Sequence, residues 1–78
     1  MFTLTCTLKF KDGKTAGATV SAHTPYDEVP IVYFGSNRPA RSYGTATPSL
    51  LKTIFKNLAK ETGATLDIKT EGEYDVDE

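Results

Sequence analysis

The strictest constraint on this fold lies in the first 22 residues. Phe2, Leu4, Cys6, Leu8 and Phe10 alternate with Thr3, Thr5, Thr7 and Lys9. A period of two with β-formers on both sides predicts a half-buried strand. Lys11-Asp12-Gly13-Lys14 follows as a hairpin signal, and the next strand carries Ala16, Ala18, Val20 and Ala22 on one face. A two-residue Asp12-Gly13 turn would place Leu8 opposite Gly17 and send the two apolar sets to opposite faces. A three-residue loop, Lys11 to Gly13 with Gly13 left-handed, pairs Leu8 with Ala16, Cys6 with Ala18 and Leu4 with Val20. The buried face sets register, so the three-residue loop is predicted. The small residues of the second strand leave room for a bulky element to pack close.

That element is a helix. Thr47 suits an N-cap, Pro48 the first helical position and Gly63 the C-terminal stop. Between them Leu51, Ile54, Phe55 and Leu58 form an apolar stripe, with Lys52, Lys56 and Lys60 on the outer face. Ile31 to Phe34 reads as a third strand, Ser42 to Ala46 as a short fourth, and Ala64, Leu66 and Ile68 point inward from a last one. The order ββ(β)βαβ defines an α+β fold: one mostly antiparallel sheet with a single amphipathic helix on one face, connected as a crossover. A free edge is expected on the first or the last strand. The domain is read as residues 1–70, with 71–78 an acidic C-terminal tail or edge-strand extension.

At 78 residues the chain has room for one modest core. The single cysteine allows no intrachain disulfide and suits a reducing compartment. Met1-Phe2-Thr3-Leu4 lacks a basic n-region, and no stretch approaches the roughly 18 apolar residues of a membrane span. The expectation is a cytoplasmic protein without membrane contact. Charge is segregated. The net charge is −1, yet residues 1–70 hold nine Lys and Arg against five Asp and Glu, a mildly basic body followed by an acidic end.

Catalytic chemistry finds little to stand on. The strand order looks like the first half of a ribonuclease H-like fold, whose two-metal catalysis needs several carboxylates on the core strands. Here the first strand has no Asp or Glu. Cys6 sits mid-way along an apolar face and reads as a small hydrophobe, while His23 reads as a strand-end residue. Neither nucleotide-loop fingerprint is present. No catalytic residue, metal site or cofactor is expected.

Two binding surfaces can be drawn instead. Asp67, Glu71, Glu73, Asp75 and Asp77 share the odd phase of the last strand and tail. Alternate side chains on a strand face stand about 6.8 Å apart, comparable to the spacing of successive phosphates on DNA, whose rise alone is about 3.4 Å. Such a row would mimic nucleic acid toward a basic protein. The alternative is a weak DNA- or RNA-binding patch made by Tyr33, Asn37, Arg38, Arg41 and Tyr43, centred on the Ser36–Ser42 loop, with Lys52, Lys56 and Lys60.

His23-Thr24-Pro25-Tyr26-Asp27-Glu28, the run Ile31 to Phe34 and Ser36-Asn37-Arg38-Pro39 together resemble a segment of the phage uracil-DNA glycosylase inhibitors. Lys60-Glu61-Thr62-Gly63 with Leu66 and Ile68 is similar to the end of that family's first helix and its next strand. The resemblance implies DNA mimicry. The two pieces occur in reverse order, cover under half of the chain and leave the family's second helix unmatched, so no functional residue is carried over. The expected function is a small non-catalytic binding or inhibitor protein, of a kind that phages encode, with a protein partner. Nucleic acid is the alternative partner, and a homodimer through a sheet edge the third reading.

Overall fold

The computed structural model describes residues 1–36 and 38–72. Its elements run β1 (Phe2–Lys9), β2 (Thr15–Ala22), β3 (Val29–Gly35), β4 (Arg38–Ala46), α1 (Pro48–Thr62) and β5 (Thr65–Gly72). The five strands form one antiparallel sheet in the order β4-β3-β2-β1-β5. This is the α+β architecture read from the sequence.

The first hairpin has the register that the apolar faces demanded: Leu8 opposite Ala16, Cys6 opposite Ala18, Leu4 opposite Val20. The Phe10 carbonyl accepts from Gly13 N–H, and Phe10 N–H donates to the Lys14 carbonyl. Gly13 adopts φ +90°, a left-handed conformation that glycine reaches without steric cost. Asp12 Oδ1 accepts from Lys14 N–H at 2.9 Å and holds the loop closed.

Even-numbered β1 residues point to the helix side, where Phe2, Leu4, Cys6 and Leu8 are buried with Ala18, Val20, Ala22, Ile31, Leu51 and Phe55. Odd-numbered residues line the open face and bond in pairs: Thr3 with Ser21 at 3.0 Å and Thr5 with Thr19 at 3.1 Å. On that same face the Phe34 ring lies over Gly17, filling the space that a side chain there would take. A polar, hydroxyl-lined outer face is what lets an antiparallel sheet stand with helix cover on one side only.

The α1 limits follow its caps. Thr47 Oγ1 accepts from Leu50 N–H at 3.1 Å, Pro48 opens the first turn, and Gly63 closes the helix at φ +73°. Leu51 and Phe55 are buried, whereas Ile54 and Leu58 remain 41% and 39% exposed.

Two expectations are met in part and one needs correction. Leu51 and Phe55 of the helix share one core with the small residues Ala18, Val20 and Ala22 of β2, although α1 packs chiefly on β1 and β5. Of the two strands expected to offer a free edge, the last does and the first does not: β2 and β5 flank β1, and the edges are β4 and β5. The Ser36–Ser42 loop is mostly strand: β4 begins at Arg38, and the third strand likewise extends to Val29–Gly35. β4 escapes a period-two reading because it is bulged twice. Pro30 pairs with Thr45 but Val32 with Ser42, and Tyr33 pairs with Arg41 but Gly35 with Arg38, so each step puts an extra residue on β4. Gly44, at φ +76°, sits within the first of these bulges.

Candidate functional site

Because α1 lies over β1 and β5, the helix side of β2 and β3 near the first hairpin is left uncovered. The result is an open groove of about 1140 Å³. Its helix wall is Leu51, Ile54, Phe55 and Leu58, four side chains over about two turns of an amphipathic face too wide for the strands beneath it. Its sheet wall is Leu8, Phe10, Ala16, Tyr33 and Gly35. Small side chains at Ala16 and Gly35 make that wall low. Lys14 and Arg41 stand at the mouth with Asp12, whose carboxylate is already engaged by the Lys14 backbone. The groove is therefore apolar within and carries more positive than negative charge at its rim.

The residues of the basic patch are divided by this geometry. Tyr33 and Arg41 are cross-strand partners and both line the groove. Arg38 and Tyr43 belong to β4, and Asn37 lies outside the described residues. Lys52, Lys56 and Lys60 do not line the groove. Lys52 and Lys56 follow Leu51 and Phe55 by one position each, which at 100° per residue puts them on the flank turned away from Ile54 and Leu58. The helix lysines and Arg41 thus sit on opposite sides of α1 and form no single patch.

The acidic row divides as well. Asp67 and Glu71 pair with Thr7 and Thr3 and so lie on the open face. Lys69, opposite Thr5, stands between them. Glu73, Asp75 and Asp77 lie outside the described residues. Glu71 and Gly72, the start of the stretch read as an acidic tail or an edge-strand extension, are the last residues of β5.

Cys6 is fully buried, and burial pushes its thiol pKa up, partly offset by the nearby Lys52 charge. His23 comes after Ala22, which pairs with Phe2, so it lies five register positions along from Cys6, roughly 17 Å at strand spacing. The two do not form a nucleophilic pair. Among the described residues no group of three or more His, Cys, Asp or Glu side chains is placed to hold a metal ion, and no helix is long and apolar enough to cross a membrane.

The His23–Glu28 string is a turn built around Asp27. Its carboxylate accepts from the Thr24 hydroxyl at 2.9 Å, from Thr24 N–H at 3.1 Å and from His23 N–H at 3.0 Å, which holds its pKa below the usual value. The Pro25 carbonyl then accepts from Ser49 N–H, tying this turn to the start of α1.

The groove escaped the sequence reading, although one signal pointed to it. Leu50, Ile54 and Leu58 are spaced by four, and with Leu51 and Phe55 they make an apolar arc broader than one sheet contact can bury. Compared with known proteins, the chain matches no family model, no curated protein and no solved structure.

Proposed function

We propose that this protein is a non-catalytic binding module that captures a protein partner in the groove between α1 and the β2–β3 side of the sheet. One observation carries the reading: Leu50, Ile54, Leu58 and Tyr33 are left 50%, 41%, 39% and 38% exposed, and three of the four line one groove. Scattered exposed apolar side chains are ordinary, but a contiguous set rimmed by charge marks a place for apolar side chains of another chain. The Lys14 and Arg41 rim favours a partner segment with carboxylates flanking its apolar residues. A module with no chemistry of its own acts by occupying its partner, as an inhibitor or an adaptor. Segregated charge and the absence of carboxylates from β1 support the same class.

Three readings are separated by one set of variants. A photo-crosslinking side chain at position 33, on the sheet wall of the groove, is used to trap the partner from nuclease-treated lysate, followed by mass spectrometry. The Ile54→Lys and Leu58→Lys exchanges change exposed positions, so melting should shift little. If the reading is right, both lose the crosslinked protein, and neutralising Glu73, Asp75 and Asp77 leaves it in place. Capture that survives both lysine exchanges overturns the groove. Loss on tail neutralisation would return the acidic row to first place, and loss on nuclease treatment the nucleic-acid alternative.

A further inference from the structure

We infer that β5 is a self-recognition edge, and that two copies of this chain join through antiparallel β5–β5 pairing about a two-fold axis at Ile68. The inference does not depend on the groove. Both sheet edges are open in principle, but they differ. β4 is interrupted by two bulges and contains Pro39, devices that spoil an edge for pairing. β5 runs eight residues in unbroken one-to-one register with β1.

The outward-facing backbone groups can be assigned. Phe10 N–H donates to the Lys14 carbonyl, so even-numbered β1 residues exchange hydrogen bonds with β2. Odd-numbered β1 residues are then left for β5, where they meet Thr65, Asp67, Lys69 and Glu71. The amides and carbonyls of Leu66, Ile68 and Thr70 therefore point away from the sheet, ready for another strand.

A two-fold axis perpendicular to the sheet sets residues of the same face opposite one another. With the axis at Ile68, Asp67 faces Lys69 of the second copy and Lys69 faces its Asp67, while Leu66 faces Thr70. Shifting the axis to residue 67 opposes Asp67 to itself. Shifting it to residue 69 opposes Lys69 to itself and Asp67 to Glu71. Charge thus selects one register among its neighbours. In that register Ile68 forms the hydrogen-bonded pair, so the Asp67–Lys69 pairs are of the non-hydrogen-bonded kind, in which side chains approach most closely. On the helix side the half-buried Leu66 and Ile68 gain the second copy's Ile68 as cover. Lys69, which breaks the acidic row, acquires a purpose here. Opposing this, Lys52 and Lys56 lie on the α1 flank nearer β5, and their repulsion across the axis keeps the association reversible.

Sedimentation velocity on the full chain, across the micromolar to millimolar range, tests the inference. The wild type should show reversible dimerisation. Asp67→Lys or Lys69→Asp alone should each raise the dimer Kd by at least about tenfold, because like charges then face each other, and the double exchange D67K/K69D should restore it. Within one copy these side chains stand beside Thr7 and Thr5, so the fold, checked by circular dichroism, should tolerate them. Thr70→Pro provides a second arm: it removes an outward N–H and leaves the β1–β5 hydrogen bonds in place, and it should give a monomer. A wild type that is monomeric throughout overturns the inference. So does a dimer that ignores both single exchanges.

Discussion

Gly17 occupies a position where the sheet has no room for a side chain, and replacing it by alanine gives a calculable result. A Cβ at Gly17 would contact the Cys6 backbone carbonyl at less than van der Waals distance, and would lie 2.5 Å from Phe34 Cζ and 2.8 Å from its Cε1. Alanine in a strand interior is ordinarily favoured over glycine by roughly 0.5–1 kcal/mol, through the entropy of the unfolded chain. Overpacking works against this and typically costs about 1–3 kcal/mol. The Phe34 ring is on the open face and can swing aside, giving up its cover of Gly17. The Cys6 carbonyl cannot, because it belongs to β1, an interior strand held on both sides, and moving it parts β1 from β2. The unfavourable term should win, leaving a net loss of about 1–2 kcal/mol. For a chain of this size that lowers Tm by roughly 5–15 °C. Thermal melts of wild type, Gly17→Ala, Phe34→Ala and the double variant decide the matter. The double variant should recover only part of the loss, since the carbonyl remains. A Gly17→Ala protein as stable as wild type, or more so, would refute the steric argument.

Other expectations follow from single side chains. The Asp27 pKa is lowered by the Thr24 hydroxyl, then by the Thr24 and His23 amides. Its stabilisation is therefore fully present above the unfolded-state pKa, roughly 4, and is lost as pH falls through the lower folded value. Wild type should melt above Asp27→Asn at neutral pH, with the gap closing below about pH 4; a gap unchanged down to the most acid conditions contradicts this. Cys6 is enclosed and its thiol pKa is raised, so iodoacetamide should label it only as fast as the protein unfolds. Labelling at the rate of a free thiol under native conditions would show that β1 opens independently of the core.

Much of this fold can be derived from local pattern. The parity of Leu4, Cys6 and Leu8 against Ala16, Ala18 and Val20 settles both the face and the loop of the first hairpin, because a one-residue slip turns every side chain over. Thr47, Pro48 and Gly63 delimit α1 by capping chemistry that needs no tertiary partner. The class, one antiparallel sheet with one helix, follows from these. β4 was only half legible, since two bulges erase the alternation by which a strand is recognised. The phase of Lys69 between Asp67 and Glu71 was legible in the same alternation, and it alone interrupts the acidic row.

The lateral position of the helix belongs to tertiary structure. Periodicity tells which residues share a face, but not which strands that face will cover, because several placements bury Leu51 and Phe55 equally well. Only when β5 inserts beside β1, and α1 settles over that pair, do Ile54 and Leu58 become a groove wall instead of core. The same step separates the helix lysines from Arg41 and leaves β5, not β1, with unpaired amides. Sequence thus determined which side chains are apolar, charged or capping. The strand order decided which of them remain exposed together, since that depends on contacts between segments far apart in the chain.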